Sequence, residues 1–140
     1  MYSRIVVGTD GTDRSLIAVD HASRLAAACS AELHVVAASP RDADRKQATV
    51  PGIAHLCDAS AWTAAKIGHD AIKRHGVRVI EHPQVGDPTT VLMAVADAVD
   101  ADLIVVGNKI MTGTSGTLAG WVPGQLAHLS HCPILIVHIG

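Results

Sequence analysis

Five short stretches crowded with branched aliphatic residues constrain this chain more than any other feature: Arg4–Thr9, Glu32–Ala38, Val77–His82, Asp102–Gly107 and Pro133–Ile139. Each has the length of a strand, and several lack the polar alternation of a half-exposed one. Near-continuous Val and Ile suit a parallel sheet covered on both faces, because both sides of every strand then meet an apolar layer. Parallel neighbours need crossover connections, so helices are expected between them.

The intervening segments supply those helices. Asp13-Arg14-Ser15 opens the first, with Leu16, Val19, Ala22, Ala26 and Cys29 at helical spacing as its buried stripe. The second is expected within Ile53–His75 and the fourth from Gly120 to Ser130. The third starts at Gly86-Asp87-Pro88, where Asp87 is a natural N-cap and Pro88 fits the first helical position. The order βαβαβαβαβ with right-handed crossovers predicts an α/β fold. Its five-stranded parallel sheet is doubly wound, flavodoxin-like or Rossmann-like, with strand order 3-2-1-4-5. Ligands on such sheets bind beyond the carboxyl ends of the strands, where the winding reverses. A reversal between strands one and four brings together the loop Gly8–Ser15 and the loop Gly107–Ala119. With 140 residues and no internal repeat, the chain reads as a single domain, 1–140.

Composition narrows the partners. A hydrophobic content of 49% against 17% charged residues excludes disorder of the whole. A net charge of −2, with no Phe, one Tyr and two Trp, provides neither the basic face nor the aromatic platform of a nucleic-acid domain. Apolar runs such as Leu103–Val106 and Ile134–Val137 fall far short of the roughly 20 residues of a membrane helix. The N-terminus leads directly into Ile5-Val6-Val7 without a signal-like stretch, so no membrane partner and a cytoplasmic location are expected. Cys29, Cys57 and Cys132 are odd in number and lack a Cys-x-x-Cys pair, which reads as small buried thiols rather than a disulfide framework or zinc site. Among nine histidines, His128 and His131 share a helix face beside Cys132, yet no carboxylate stands at ligand spacing. No metal is expected, and the remaining histidines read as solvent-facing or singly hydrogen-bonded. The polar stretch Ser39–Gly52 reads as a solvated connector, with a flap over the site as its alternative.

Three motifs carry a resemblance. Val6-Val7-Gly8-Thr9-Asp10-Gly11-Thr12, Asp102-Leu103-Ile104-Val105-Val106-Gly107 and Cys132-Pro133-Ile134-Leu135-Ile136-Val137 resemble the universal stress protein family, in order and along the whole chain. The resemblance implies an adenine-nucleotide pocket, with Thr9, Asp10 and Val36 at positions that contact adenine and ribose. The loop from Gly107 through Gly120, Trp121 and Val122 would then hold phosphate. ATP-binding members read Gly, two residues, Gly, nine residues, Gly, then Ser or Thr. Here Gly107 and Gly120 stand, Ile110 replaces the middle glycine, and Trp121 replaces the hydroxyl residue.

Both changes fall where phosphates would lie. Glycines there let the backbone approach and turn consecutive amides inward. Ile110 resists the left-handed conformation by about 1–2 kcal/mol, and Trp121 offers only an indole N–H. Lys109 stands where the family often has Arg, a point charge without the bidentate fork. The expectation is a nucleoside-side pocket with weak or absent ATP binding. Alternatives are binding of ATP, AMP or cyclic AMP in a modified pose, using donors from Thr112-Gly113-Thr114-Ser115-Gly116-Thr117, or slow ATP hydrolysis. Asp10 either meets a ligand or caps the Asp10-Gly11 turn. Lacking a nucleophile–base–orienter set, the chain reads as a binding module and not an enzyme.

The last strand, Pro133–Ile139, has no charged guard. Such edges aggregate unless covered or paired. Antiparallel pairing of two copies about a two-fold axis, which is also the family's mode, predicts a homodimer; a further protein partner stays open.

Overall fold

The computed structural model describes residues 1–39, 59–108 and 122–139. Along the chain these form β1 (Arg4–Thr9), α1 (Asp13–Cys29), β2 (Glu32–Ser39), α2 (Ala59–His75), β3 (Arg78–Val85), α3 (Pro88–Val99), β4 (Leu103–Gly107), α4 (Val122–Leu129) and β5 (Ile134–Val137). The strands make one parallel sheet in the order β3-β2-β1-β4-β5. The expected winding, 3-2-1-4-5, is the observed one.

Two apolar layers explain why the strands show so little alternation. Ile5, Val7, Leu33, Val35, Leu103 and Val105 pack against Ala18, Ala22 and Ala26 of α1 and Ile67 and Ala71 of α2. Their neighbours Val6, Val36, Ile104 and Val106 pack on the other face against Leu92 and Val95 of α3 and Leu126 of α4. The central strands therefore bury both faces.

The buried face of α1 differs from the predicted stripe. Ser15, Ala18, Val19, Ala22, Ser23 and Ala26 are buried, whereas Leu16 is 38% exposed and Cys29 only partly buried. Val19, Ala22 and Ala26 of that stripe meet the sheet together with Ala18 and two serines whose hydroxyls bond backbone carbonyls of their own or the capping turn. Ser15 Oγ donates to Thr12 O at 2.9 Å and Ser23 Oγ to Val19 O at 2.8 Å. Hydroxyls satisfied in this way bury at little cost, so apolar periodicity finds Val19, Ala22 and Ala26 on the buried face but not the two serines.

Other boundaries shift for similar local reasons. β3 begins at Arg78 and runs past His82 to Val85, paired residue for residue with β2 from Glu32↔Arg78 to Ser39↔Val85. It holds Pro83 because it is an edge strand, where a missing donor costs no ladder bond. β5 is shorter than expected, Ile134–Val137 rather than Pro133–Ile139. Asp87 caps α3 as predicted, accepting from Thr90 N at 3.1 Å, with Pro88 following it. Cys132, like Cys29, is partly rather than fully buried. Cys57, residues 40–52 of the polar connection and the expected start of the second helix at Ile53 lie outside the described residues.

His34 corrects the expectation that the histidines face solvent or bond singly. It is 4% exposed, its Nδ1 lies 2.8 Å from His82 Nε2 and its Nε2 lies 3.2 Å from Glu32 Oε1. The network fixes the roles: His34 Nε2–H donates to Glu32, and His34 Nδ1 accepts from His82 Nε2–H. Glu32 also faces Arg4 at 3.8 Å and Arg78 at 3.5 Å. Burial, with the His34 ring alongside, holds the His82 imidazole below its ordinary value of 6.5. Below that value the unfolded chain takes up a proton that the folded chain resists. Stability present above it is therefore lost as pH falls toward the lower folded value. Urea denaturation between about pH 8 and about pH 5 should show a larger loss for the wild type than for His82→Gln; equal losses would remove His82 as the cause.

Candidate functional site

The winding reverses between β1 and β4, which lie side by side. Their register, Ile5↔Leu103 to Val7↔Val105, sets Thr9 level with Gly107 when carried two residues further. The loops that follow these strands therefore start from the same place at the carboxyl edge.

The turn after β1 is tied by its own side chains. Thr9 is fully buried, its Oγ1 lies 2.6 Å from Ser15 Oγ, and it accepts from Gly11 N at 3.1 Å. Asp10 Oδ1 accepts from Thr12 N at 2.9 Å and from Thr12 Oγ1 at 2.6 Å. Thr12 in turn caps α1, accepting from Ser15 N at 3.3 Å. Gly11 holds φ 82, a left-handed conformation that favours glycine. Of the two roles open for Asp10, the cap is therefore present. Its Oδ2 makes no hydrogen bond among the described residues and remains an acceptor at the mouth of the turn.

Gly107 is small for space, not for backbone freedom. It is absent from the positive-φ glycines, and a Cβ there would lie 2.6 Å from Ile139 Cδ1. Asn108 then clips the end of β4 to the segment leaving β5. Its N–H donates to Val137 O at 2.8 Å, its Oδ1 accepts from Ile139 N at 2.7 Å, and its Nδ2 lies 3.3 Å from His138 Nδ1.

Val36 and Val122 sit differently from the turn residues. Val36 is fully buried in the α3-side core, between Gly8 and His82 and three positions short of the end of β2. Val122, 4% exposed, begins α4 with its side chain in that same core. Lys109, Ile110, Gly120, Trp121 and the stretch Thr112–Thr117 lie outside the described residues.

Sequence reasoning missed Asn108 and the pair Thr89–Gln125, whose Thr89 Oγ1 donates to Gln125 Oε1 at 2.6 Å and ties α3 to α4. Neither left a mark in the sequence, since the bonds join residues 31 and 36 positions apart. Among the described residues no group of three or more His, Cys, Asp or Glu is arranged to hold a metal, and no helix is long and apolar enough to cross a membrane.

An acceptor carboxylate on the tight turn after β1, with the neighbouring β4 ending in a glycine packed against Ile139, suits a ligand presenting hydroxyl or N–H donors at a sheet switch point. The model of the Universal stress protein family matches residues 1–138. This chain belongs to that family. Universal stress protein Rv1636 of Mycobacterium tuberculosis is 36% identical over 141 residues, which cover 98% of this chain and 97% of the relative. Universal stress protein MJ0531 of Methanocaldococcus jannaschii is 31% identical over 98% of this chain and 82% of its own length. A crystal structure of a universal stress protein in complex with cAMP superposes with a TM-score of 0.78 at 35% identity, over 99% of this chain and 98% of that one. The flavodoxin-like α/β architecture derived from the strands is thus the fold of the family.

Proposed function

We propose that this universal stress protein is a non-enzymatic, homodimeric stress-response module that binds an adenine nucleotide bearing a single phosphate, cyclic AMP or AMP, with weak or no affinity for ATP. One observation carries the reading. The Asp10 turn follows β1 and Gly107 ends β4, neighbouring strands at the winding reversal, in a chain 35% identical to a universal stress protein crystallised with cAMP. Asp10 Oδ2 is placed to accept from a ribose hydroxyl or an adenine N–H. A triphosphate needs several inward-pointing donors in succession, and Ile110 and Trp121 replace the glycine and hydroxyl that family members use for them. One phosphate needs fewer.

The reading is tested at these two positions. Ile110→Gly combined with Trp121→Ser should tighten ATP binding at least about tenfold, equivalent to restoring one or two charge-assisted hydrogen bonds. No gain would place the discrimination elsewhere. Asp10→Asn keeps an oxygen acceptor for Thr12 while converting the other position to a donor. It should weaken cAMP binding about tenfold with little change in melting temperature. ATP incubated with the protein should yield no ADP or AMP.

Homodimerisation is supported by β5, an edge strand whose Leu135 and Ile136 are 37% and 40% exposed. Ile136→Lys should convert a dimer to a monomer in sedimentation velocity, because it buries a charge between paired edges. An unchanged dimer would move the interface off β5.

A further inference from the structure

A second cavity lies at the opposite pole of the sheet, where α3 and α4 both end. It measures about 400 Å³, within the range of small-molecule pockets. Its floor is Ala96, Met93 and the buried Ile104, and Leu129, 52% exposed, stands at its mouth. Asp97, Asp100 and His131 are the titratable groups around it besides the Cys132 thiol, and neither Lys nor Arg lines it.

The charges are arranged against the local field. A helix C-terminus carries partial negative charge and favours cations. α3 ends without a basic residue in its last turn and instead places Asp97 and the cap residue Asp100 there. α4 ends in the same cavity with only His128 as a basic residue in its last turn. Among the described residues, His131 is the one imidazole lining the cavity. Its Nδ1 is 3.8 Å from Asp97 Oδ1, and both side chains are well exposed. Two of the last four carbonyls of α3, Ala96 O and Asp97 O, accept from the N–H groups of Ala101 and Asp100. The carboxylates of Asp97 and Asp100 are charged acceptors at this end of the helix.

We propose that this cavity binds a small organic cation, an ammonium group carried on an apolar body. The ammonium lies between Asp97 and Asp100, relieving the unfavourable charge at the end of α3, while the apolar body covers Ile104 and Leu129. An anion of the same shape is repelled by both carboxylates and both helix ends. The site is independent of the nucleotide pocket and stands whether or not that reading holds.

The test is an amide chemical-shift titration of the full chain with phenethylammonium, beside its neutral and anionic analogues 3-phenylpropanol and 3-phenylpropionate. Saturable shifts confined to Met93, Ala101 and Leu129–Cys132, for the ammonium in preference to the analogues, are the expected result. Asp97→Asn with Asp100→Asn should weaken that binding about tenfold. Asp100 sits at φ 56, and Asn tolerates this conformation, so the variant keeps its cap. Leu129→Ala, at an exposed position, should weaken binding about fivefold through lost apolar contact. Equal binding of the anion or the alcohol, shifts outside the cavity, no saturable shift, or an Asn double variant that binds as the wild type does would each overturn the proposal.

Discussion

Leu92→Ala is expected to lower the stability of the fold by about 2–5 kcal/mol, the largest effect of any single substitution considered. Leu92 is fully buried on α3 and faces β1 at its functional end. A Cβ on Gly8 would lie 3.1 Å from both of its terminal methyl carbons, so glycine and leucine fit as a pair. Truncation leaves a cavity directly beneath the Asp10 turn, and that turn has few means of collapsing into it because Thr9, Ser15 and Gly11 are hydrogen-bonded to one another. Urea denaturation at unchanged slope measures the loss. The same pair predicts coupling. Gly8→Ala should be costly in the wild type and much less so beside Leu92→Ala, where the new methyl has room. Equal costs in both backgrounds would show that Leu92 does not set the size of residue 8.

Gly107→Val is expected to destabilise by about 1–3 kcal/mol through overpacking, and the change should also cost nucleotide affinity. Its nearest obstacle is the Ile139 side chain, whose Cδ1 would lie 2.6 Å from an added Cβ, with Cγ1 and Cγ2 at 3.3 Å. Ile139 cannot retreat easily, since its backbone N–H is held by Asn108 Oδ1. Adding Ile139→Ala to Gly107→Val separates two roles of the glycine. Recovered stability identifies packing as the reason for its size, and affinity that stays low identifies a ligand approaching its backbone. If the double variant remains as unstable as Gly107→Val, the contact with Ile139 is not the constraint.

The sheet was legible because burial on both faces leaves a direct mark on composition: Val6 and Val7, or Ile104 and Val105, are neighbours in sequence and lie in opposite apolar layers. The cap of α3 was legible for a comparable reason, since Asp87 acts on Thr90 within one turn. What escaped depends on residues distant in sequence or on polar groups satisfied out of sight. Ser15 and Ser23 lie on the buried face of α1 with their hydroxyls satisfied by nearby backbone carbonyls, which a search for apolar residues does not register. His34 and His82 meet only because β2 and β3 pair. Asn108 reaches the end of β5, thirty-one residues away. At the candidate site, the side-by-side placement of β1 and β4 followed from topology, whereas the burial of Thr9, Val36 and Val122 did not follow from motif position.

The central claim is a preference for one phosphate over three at the pocket formed where β1 and β4 end. Calorimetric titration of the purified, nucleotide-free protein with cyclic AMP, AMP and ATP in parallel, at low ionic strength, tests it most directly. The account predicts saturable heats for cyclic AMP or AMP and an ATP affinity at least about tenfold weaker, a difference of about 1.4 kcal/mol. ATP binding as tightly as cyclic AMP and AMP, or more tightly, would contradict it, as would no heat for any of the three.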